Sequence, residues 1–129
     1  MIENLNQEQL AGILETMPVE ISFVDENDLV RFWNKHETRI FRRPYAALGR
    51  AVQNCHPKQS VYKVNQVLSD LKSGKRDVVE FWIDLKGRKV YIRYFAVRDK
   101  DGRYLGTLEA TQDITEIKRI EGEKRLLEY

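Results

Sequence analysis

The spacing of apolar residues changes repeatedly along this chain, and each change marks an element. In LNQEQLAGILETM, Leu10, Ile13, Leu14 and Met17 recur at i, i+3, i+4 and i+7, the stripe of an amphipathic helix. Pro18 ends it, because a proline pushes the preceding residue out of the α region. In VEISFVD the period drops to two, with Val19, Ile21 and Phe23 alternating with Glu20 and Ser22. A polar turn, ENDL, leads to LVRFWN, and the pair reads as a β-hairpin. Asn34, with Glu37 three residues on, resembles a capping box opening a helix in NKHETRIF. RRPYAALGR reads as a second short helix, with Pro44 in its first turn and Gly49 at its stop. SVYKVNQVLSDLKSGK is the best helical pattern of the middle region. Val61, Val64, Val67, Leu68 and Leu71 keep helical spacing, with Ser60 as a cap and Gly74 as an end.

The last third returns to alternation. DVVEFWIDL places Val79, Phe81 and Ile83 on one face. KVYIRYFAVRD places Val90, Ile92, Tyr94 and Ala96 on one face and Tyr91, Arg93, Phe95 and Val97 on the other. A KDGR turn leads to YLGTLEATQDI, so three long strands form an antiparallel meander. TEIKRIEGEKRLLEY, with Ile117, Ile120 and Leu127 on one seam, predicts a closing helix. The expected fold class is therefore α+β: one five-stranded antiparallel sheet with the middle helices on one face. The reading is a single domain over 1–129, with an N-terminal helix in 1–17, a core over about 18–115 and a C-terminal helix in 116–129.

Composition narrows the class. Hydrophobic residues make up 42% and charged residues 33% of 129 residues, which suits one globular domain. A net charge of +2 gives no reason to expect a nucleic-acid surface. A single cysteine leaves no internal disulfide framework and suits a reducing compartment. No apolar run reaches membrane-spanning length, and the polar, acidic start is unlike a signal peptide. A cytoplasmic protein is expected. No Walker loop, G-x-S-x-G or H-E-x-x-H motif is present, and an enzyme is not expected.

The order and spacing of several pieces resemble a PAS domain over about residues 9–121. VEISFVDENDLVRFWNK resembles the opening hairpin, with Asp25 ending the first strand and Asn34 following the second. YAALGR resembles the short-helix signature at Leu48, Gly49 and Arg50. RDKDGRYLGTLEATQDITEIKRIE resembles the last hairpin, its glycine and the closing Asp113, Ile114 and Thr115. Within the family, CHPKQSVYKV, FWI and YIRYFAVRD most resemble a bacterial and archaeal subgroup often found behind a hemerythrin-like domain. That implies either a fragment or a free-standing sensor, with an effector or hemerythrin-like domain as a partner.

The resemblance implies a sensory module with a small-molecule pocket between sheet and helices. It also implies a homodimer, because the outer face of the sheet is too apolar to stand in water. Tyr91, Arg93, Phe95 and Val97, with Phe32 or Trp33, need covering by the N-terminal helix or a second subunit. A ligand-free dimerisation module is the alternative. Asp113, Ile114 and Thr115 are the expected transmission joint, with Thr115 capping the final helix. The pocket residues expected are Cys55, His56, Phe41, Ile92, Tyr94 and Ala96.

Cys55 and His56 are the sole metal-ligand candidates. Thiolate and imidazole both bind iron, so haem is the first cofactor considered, for a redox or gas sensor. The competing reading is an ordinary buried thiol beside a solvated histidine. Asn54-Cys55 also resembles the Asn-Cys of PAS photoreceptors that form a cysteinyl-flavin adduct. Their motif continues Arg-Phe-Leu-Gln, whereas this chain continues His56-Pro57-Lys58-Gln59, and Thr111 stands where a glutamine is expected, which speaks against a flavin. His36, between Lys35 and Glu37, reads as an exposed histidine. Arg93, set among aromatics, is expected to be a surface charge or to pair with an acidic ligand group or Glu80.

Overall fold

The computed structural model describes residues 1–128. Helix α1 spans Gln7–Thr16, followed by strands β1 (Glu20–Asp25) and β2 (Val30–Trp33). Three 3-10 turns, Tyr45–Ala47, Val52–Cys55 and Lys58–Ser60, lead into α2 (Val61–Ser73). Strands β3 (Val78–Leu85), β4 (Arg88–Arg98) and β5 (Tyr104–Asp113) complete one sheet, ordered β2-β1-β5-β4-β3. Every pairing is antiparallel.

The first hairpin is closed by Asp25. Its Oδ1 accepts from the Asn27 and Leu29 amides at 2.9 and 3.0 Å, and its Oδ2 takes Arg31 Nε at 2.7 Å. The acid ending β1 is thus the residue that bends the chain into β2. Gly106 lets β1 and β5 lie close. Its φ is +156°, and a Cβ there would meet the Val24 carbonyl oxygen at 2.3 Å.

One face of the sheet carries the core. Val24, Val30 and Trp33 pack with Ala47 and Val52 of the crossing segment and Leu68 of α2. This cluster fills the β1–β2 side. On the β3 side of the same face, Phe81 is still 40% exposed, so the two ends of the sheet are covered unequally.

The structure departs from the sequence expectations at several points. NKHETRIF forms no helix. The Asn34 side chain is fully buried and committed elsewhere. Its Oδ1 accepts from the Ile21 amide at 2.7 Å, and its Nδ2 donates to the Leu14 and Val19 carbonyls at 2.7 and 3.1 Å. The side chain is turned toward β1 and the end of α1, so it caps no helix of its own. Pro44 precedes its 3-10 turn rather than lying inside it. Ser60 holds the N-cap position of α2 without a side-chain bond, because a 3-10 turn already runs straight into the helix. Gly74 ends α2 in the left-handed conformation.

The closing helix is also absent from the described residues. After β5 only a 3-10 turn, Ile117–Arg119, forms, and Gly122 has φ +64°. A short amphipathic segment with nothing to pack against gains too little to hold a helix. Thr115 is therefore no helix cap; it is buried, and its Oγ1 accepts from the Lys89 amide at 2.8 Å. Trp33 belongs to the core rather than the outer face, while Phe32 pairs with Phe23. Helix α1 does not cover the outer sheet face: none of its residues is buried, and Ile13 is 48% exposed.

Candidate functional site

The unequal covering leaves a cavity of about 470 Å³ between β3–β4 and the segment that crosses from β2 to α2. The crossing segment supplies Phe41 at one end and Cys55 and His56 at the other. The sheet supplies Phe81, Ile83, Ile92, Tyr94 and Glu109. A smaller cavity of about 140 Å³ lies under α2 and shares His56, Phe81, Tyr94 and Glu109 with the first. Those four side chains therefore form the wall between two spaces.

Register explains the sheet contribution. Tyr94 faces Val79 on one neighbour and Glu109 on the other, so alternate residues from β3, β4 and β5 share this face. Of the six side chains expected to line a pocket, Phe41, Cys55, His56, Ile92 and Tyr94 come together at this cavity. Ala96 does not line it; it lies further along β4, its amide bonded to the Asp77 carbonyl.

The lining also holds charges that sequence reasoning missed. Arg43 Nη2 sits 3.3 Å from a Glu109 carboxylate oxygen and 3.4 Å from Ser22 Oγ. Its Nε is buried without a hydrogen-bond partner among the described residues. Beside it, Arg39 and Glu20 form a buried ion pair at 3.3 Å. Arg39 also donates to the carbonyls of Phe41, Ile21 and Asn34, and Glu20 accepts from the Ile40 and Phe41 amides. This pair anchors the start of the crossing segment on β1. Burial pushes the Arg39 guanidinium below its usual value, opposed by Glu20. Burial, helped by the Glu109 carboxylate, holds the Tyr94 hydroxyl well above its usual value, so it stays a neutral donor. The available signal was the arginine density of TRIFRRP and a lone glutamate inside the apolar β5. Neither says which residues meet.

Cys55 is exposed, its Sγ 3.9 Å from the Ala51 carbonyl. His56 Nδ1 lies 3.0 Å from the Val52 carbonyl. A carbonyl only accepts, so Nδ1 carries a proton, and in the neutral ring Nε2 is left as the acceptor. Among the described residues, no three His, Cys, Asp or Glu side chains gather into a metal site. His36 is not the exposed histidine expected. It is half-buried, accepts from Trp33 Nε1 at 2.9 Å and stacks on Tyr45. Arg93 stands opposite Glu80, but its guanidinium lies over the Tyr91 and Phe95 rings, and it is Tyr91 that bonds Glu80.

At the end of β5, Asp113 Oδ2 takes Arg88 Nε at 2.7 Å and its Oδ1 accepts from the Thr115 amide at 3.0 Å. Ile114 donates its amide to the Lys89 carbonyl. The three residues clamp the exit of β5 onto the start of β4. Hydrogen bonding from Thr115, then from Arg88, pulls the Asp113 carboxyl down to about 2. No helix among the described residues is long and apolar enough to cross a membrane.

Comparison with known proteins agrees with this architecture. A family model described as a PAS domain matches residues 10–115. A C-terminal domain from Streptococcus mutans is 36% identical, with a TM-score of 0.86 over 91% of each chain. The PAS domain of Bordetella pertussis BvgS is 21% identical, with a TM-score of 0.62 over 87% of this chain and 90% of that one. A PAS domain from Colwellia psychrerythraea is 18% identical, with a TM-score of 0.59 over 84% and 97%. No curated protein gives a significant match.

Proposed function

This chain belongs to the PAS family, and on that premise we propose that it is a sensory module that binds a small molecule in the cavity beside β3 and β4. The observation that carries the reading is the cavity itself. Its exposed wall surface is mostly apolar, Arg43 and Glu109 meet on its lining, and it lies where one half of the sheet face is left unfilled. Occupancy is transmitted by a difference in affinity between two arrangements of the sheet. The route we favour is β4 and β5 to the Asp113–Thr115 clamp, and onward to a partner copy or effector. Mass spectrometry of the denatured, purified protein tests the reading. A stoichiometric small molecule supports it; no released molecule, with no thermal shift from any member of a metabolite library, overturns it.

The partner copy in this reading docks on the outer face of the sheet. Trp82 is 61% exposed, and Tyr91, Phe95 and Val97 are only half covered. The stripe on α1 is open at Ile13, with Leu10, Leu14 and Met17 half-buried. Light scattering is the check: a dimer is expected, and a monomer at high concentration contradicts it. A cytoplasmic location and a downstream effector belong to the same proposal.

One observation favours haem as a second reading of the ligand. His56 is the residue that would hold the iron: its Nδ1 lies 3.0 Å from a backbone carbonyl, and Nε2 has no hydrogen-bond partner among the described residues. Cys55, exposed and loosely held, is the weaker donor of the two. Bound there, haem would supply a redox or gas-binding iron, held by His56. A Soret band that shifts in His56→Ala supports this, and a band unchanged in both His56→Ala and Cys55→Ala excludes it.

A further inference from the structure

The charges around the cavity are unbalanced in a way that specifies its ligand. Three arginines line it, Arg42, Arg43 and Arg50, against one carboxylate, Glu109. Glu109 is already engaged by Arg43. Arg42 and Arg50 are exposed residues of the lining, and neither guanidinium has an ion-pair or hydrogen-bond partner among the described residues. Arg43 is largely buried, and its Nε has no hydrogen-bond partner among the described residues. A buried donor left without an acceptor is costly, and a planar guanidinium suits a carboxylate in particular. On the sheet side the surface changes character: Phe81, Ile83, Ile92 and the Tyr94 ring form an apolar wall.

We propose that the cavity selects organic anions, molecules with a flat apolar body seated against Phe81, Ile92 and Tyr94 and a carboxylate held by Arg42, Arg43 and Arg50. This rests on the ligand-binding reading above and adds the chemical class. Glu109 sets the geometry. Arg43 offsets its charge only in part, so a ligand carboxylate is disfavoured beside Glu109 and Tyr94 and favoured beside the arginines. The anion therefore sits toward the crossing segment and the ring toward the sheet. Arg42 and Arg50 are its exposed contacts, and Arg43 its largely buried one.

The test uses two isosteric probes differing by one charge, 2-naphthoate and 2-naphthamide, titrated calorimetrically into the full chain. Naphthoate is expected to bind about tenfold more tightly or better, the scale of one charge-assisted contact. Arg42→Gln combined with Arg50→Gln removes two unpaired surface charges, so folding is preserved. It is expected to erase most of that preference while leaving naphthamide within about twofold. Ile92→Trp, which fills the cavity, abolishes binding of both. Equal affinity for the two probes, or an equal loss of both in the arginine variant, overturns the anion proposal and leaves the cavity as a ligand site. Failure of both probes to bind, or binding that survives Ile92→Trp, overturns the cavity reading together with it.

Discussion

Arg43 and Glu109, 66 positions apart in the chain, meet at 3.3 Å across the cavity, and both are largely buried. The contact ties the crossing segment to the middle of β5. It also decides how much unpaired positive charge the cavity keeps. Removing one partner strands the other. Glu109→Gln is expected to cost about 3 kcal/mol, measured by urea unfolding, and Glu109→Gln with Arg43→Met to recover part of that loss. Additive losses in the double variant would show that the two residues do not interact.

Asn34 holds the end of α1 onto the sheet through three side-chain hydrogen bonds. Asn34→Ala leaves the Ile21 amide and two carbonyls without partners and is expected to cost about 3 kcal/mol. Amide exchange should show α1 released before the sheet. Equal protection of α1 in the variant and the parent would contradict this role.

Two glycines give opposite expectations. At Gly106 an added methyl meets the Val24 backbone, which cannot move aside, so Gly106→Ala is expected to destabilise by about 3 kcal/mol. At Gly12, inside α1, nothing lies within 4 Å, and Gly12→Ala is expected to stabilise by about 0.5–1 kcal/mol. Thermal melts of the pair check both signs, and a neutral Gly106→Ala would mean that β1 and β5 tolerate a wider approach.

The clamp at the end of β5 has a pH signature. The Asp113 carboxyl is lowered in the fold from 3.8 to about 2. A lowered acid contributes stability that is complete above its unfolded value and is lost as pH falls through the folded value. The parent should therefore be more stable than Asp113→Asn at neutral pH, with the gap closing between about pH 4 and about pH 2. Denaturant midpoints across that range check it; a gap independent of pH would remove Asp113 from the clamp.

The strands were legible in the sequence because alternation reports a half-buried sheet directly. Alternation alone does not say which face of β4 is inward; of the even-face residues expected at a pocket, Ile92 and Tyr94 line the cavity and Ala96 does not. Asn34 was misread because a local capping pattern resembles a helix start, while its true partners lie 13 to 20 positions away. The segment after Thr115 was misread for the converse reason: helical spacing is present, but spacing supplies no surface to pack on. Arg43 with Glu109 and Arg39 with Glu20 join distant stretches, and only the folded chain brings them together.

The cavity beside β3 and β4 is expected to hold a small molecule. The direct measurement is mass spectrometry of molecules released on denaturing the parent and Ile92→Trp, with circular dichroism confirming that both are folded. A molecule released from the parent in near-stoichiometric amount, and absent from the variant, is the expected result. Equal release from both proteins, or none from the parent, would contradict it.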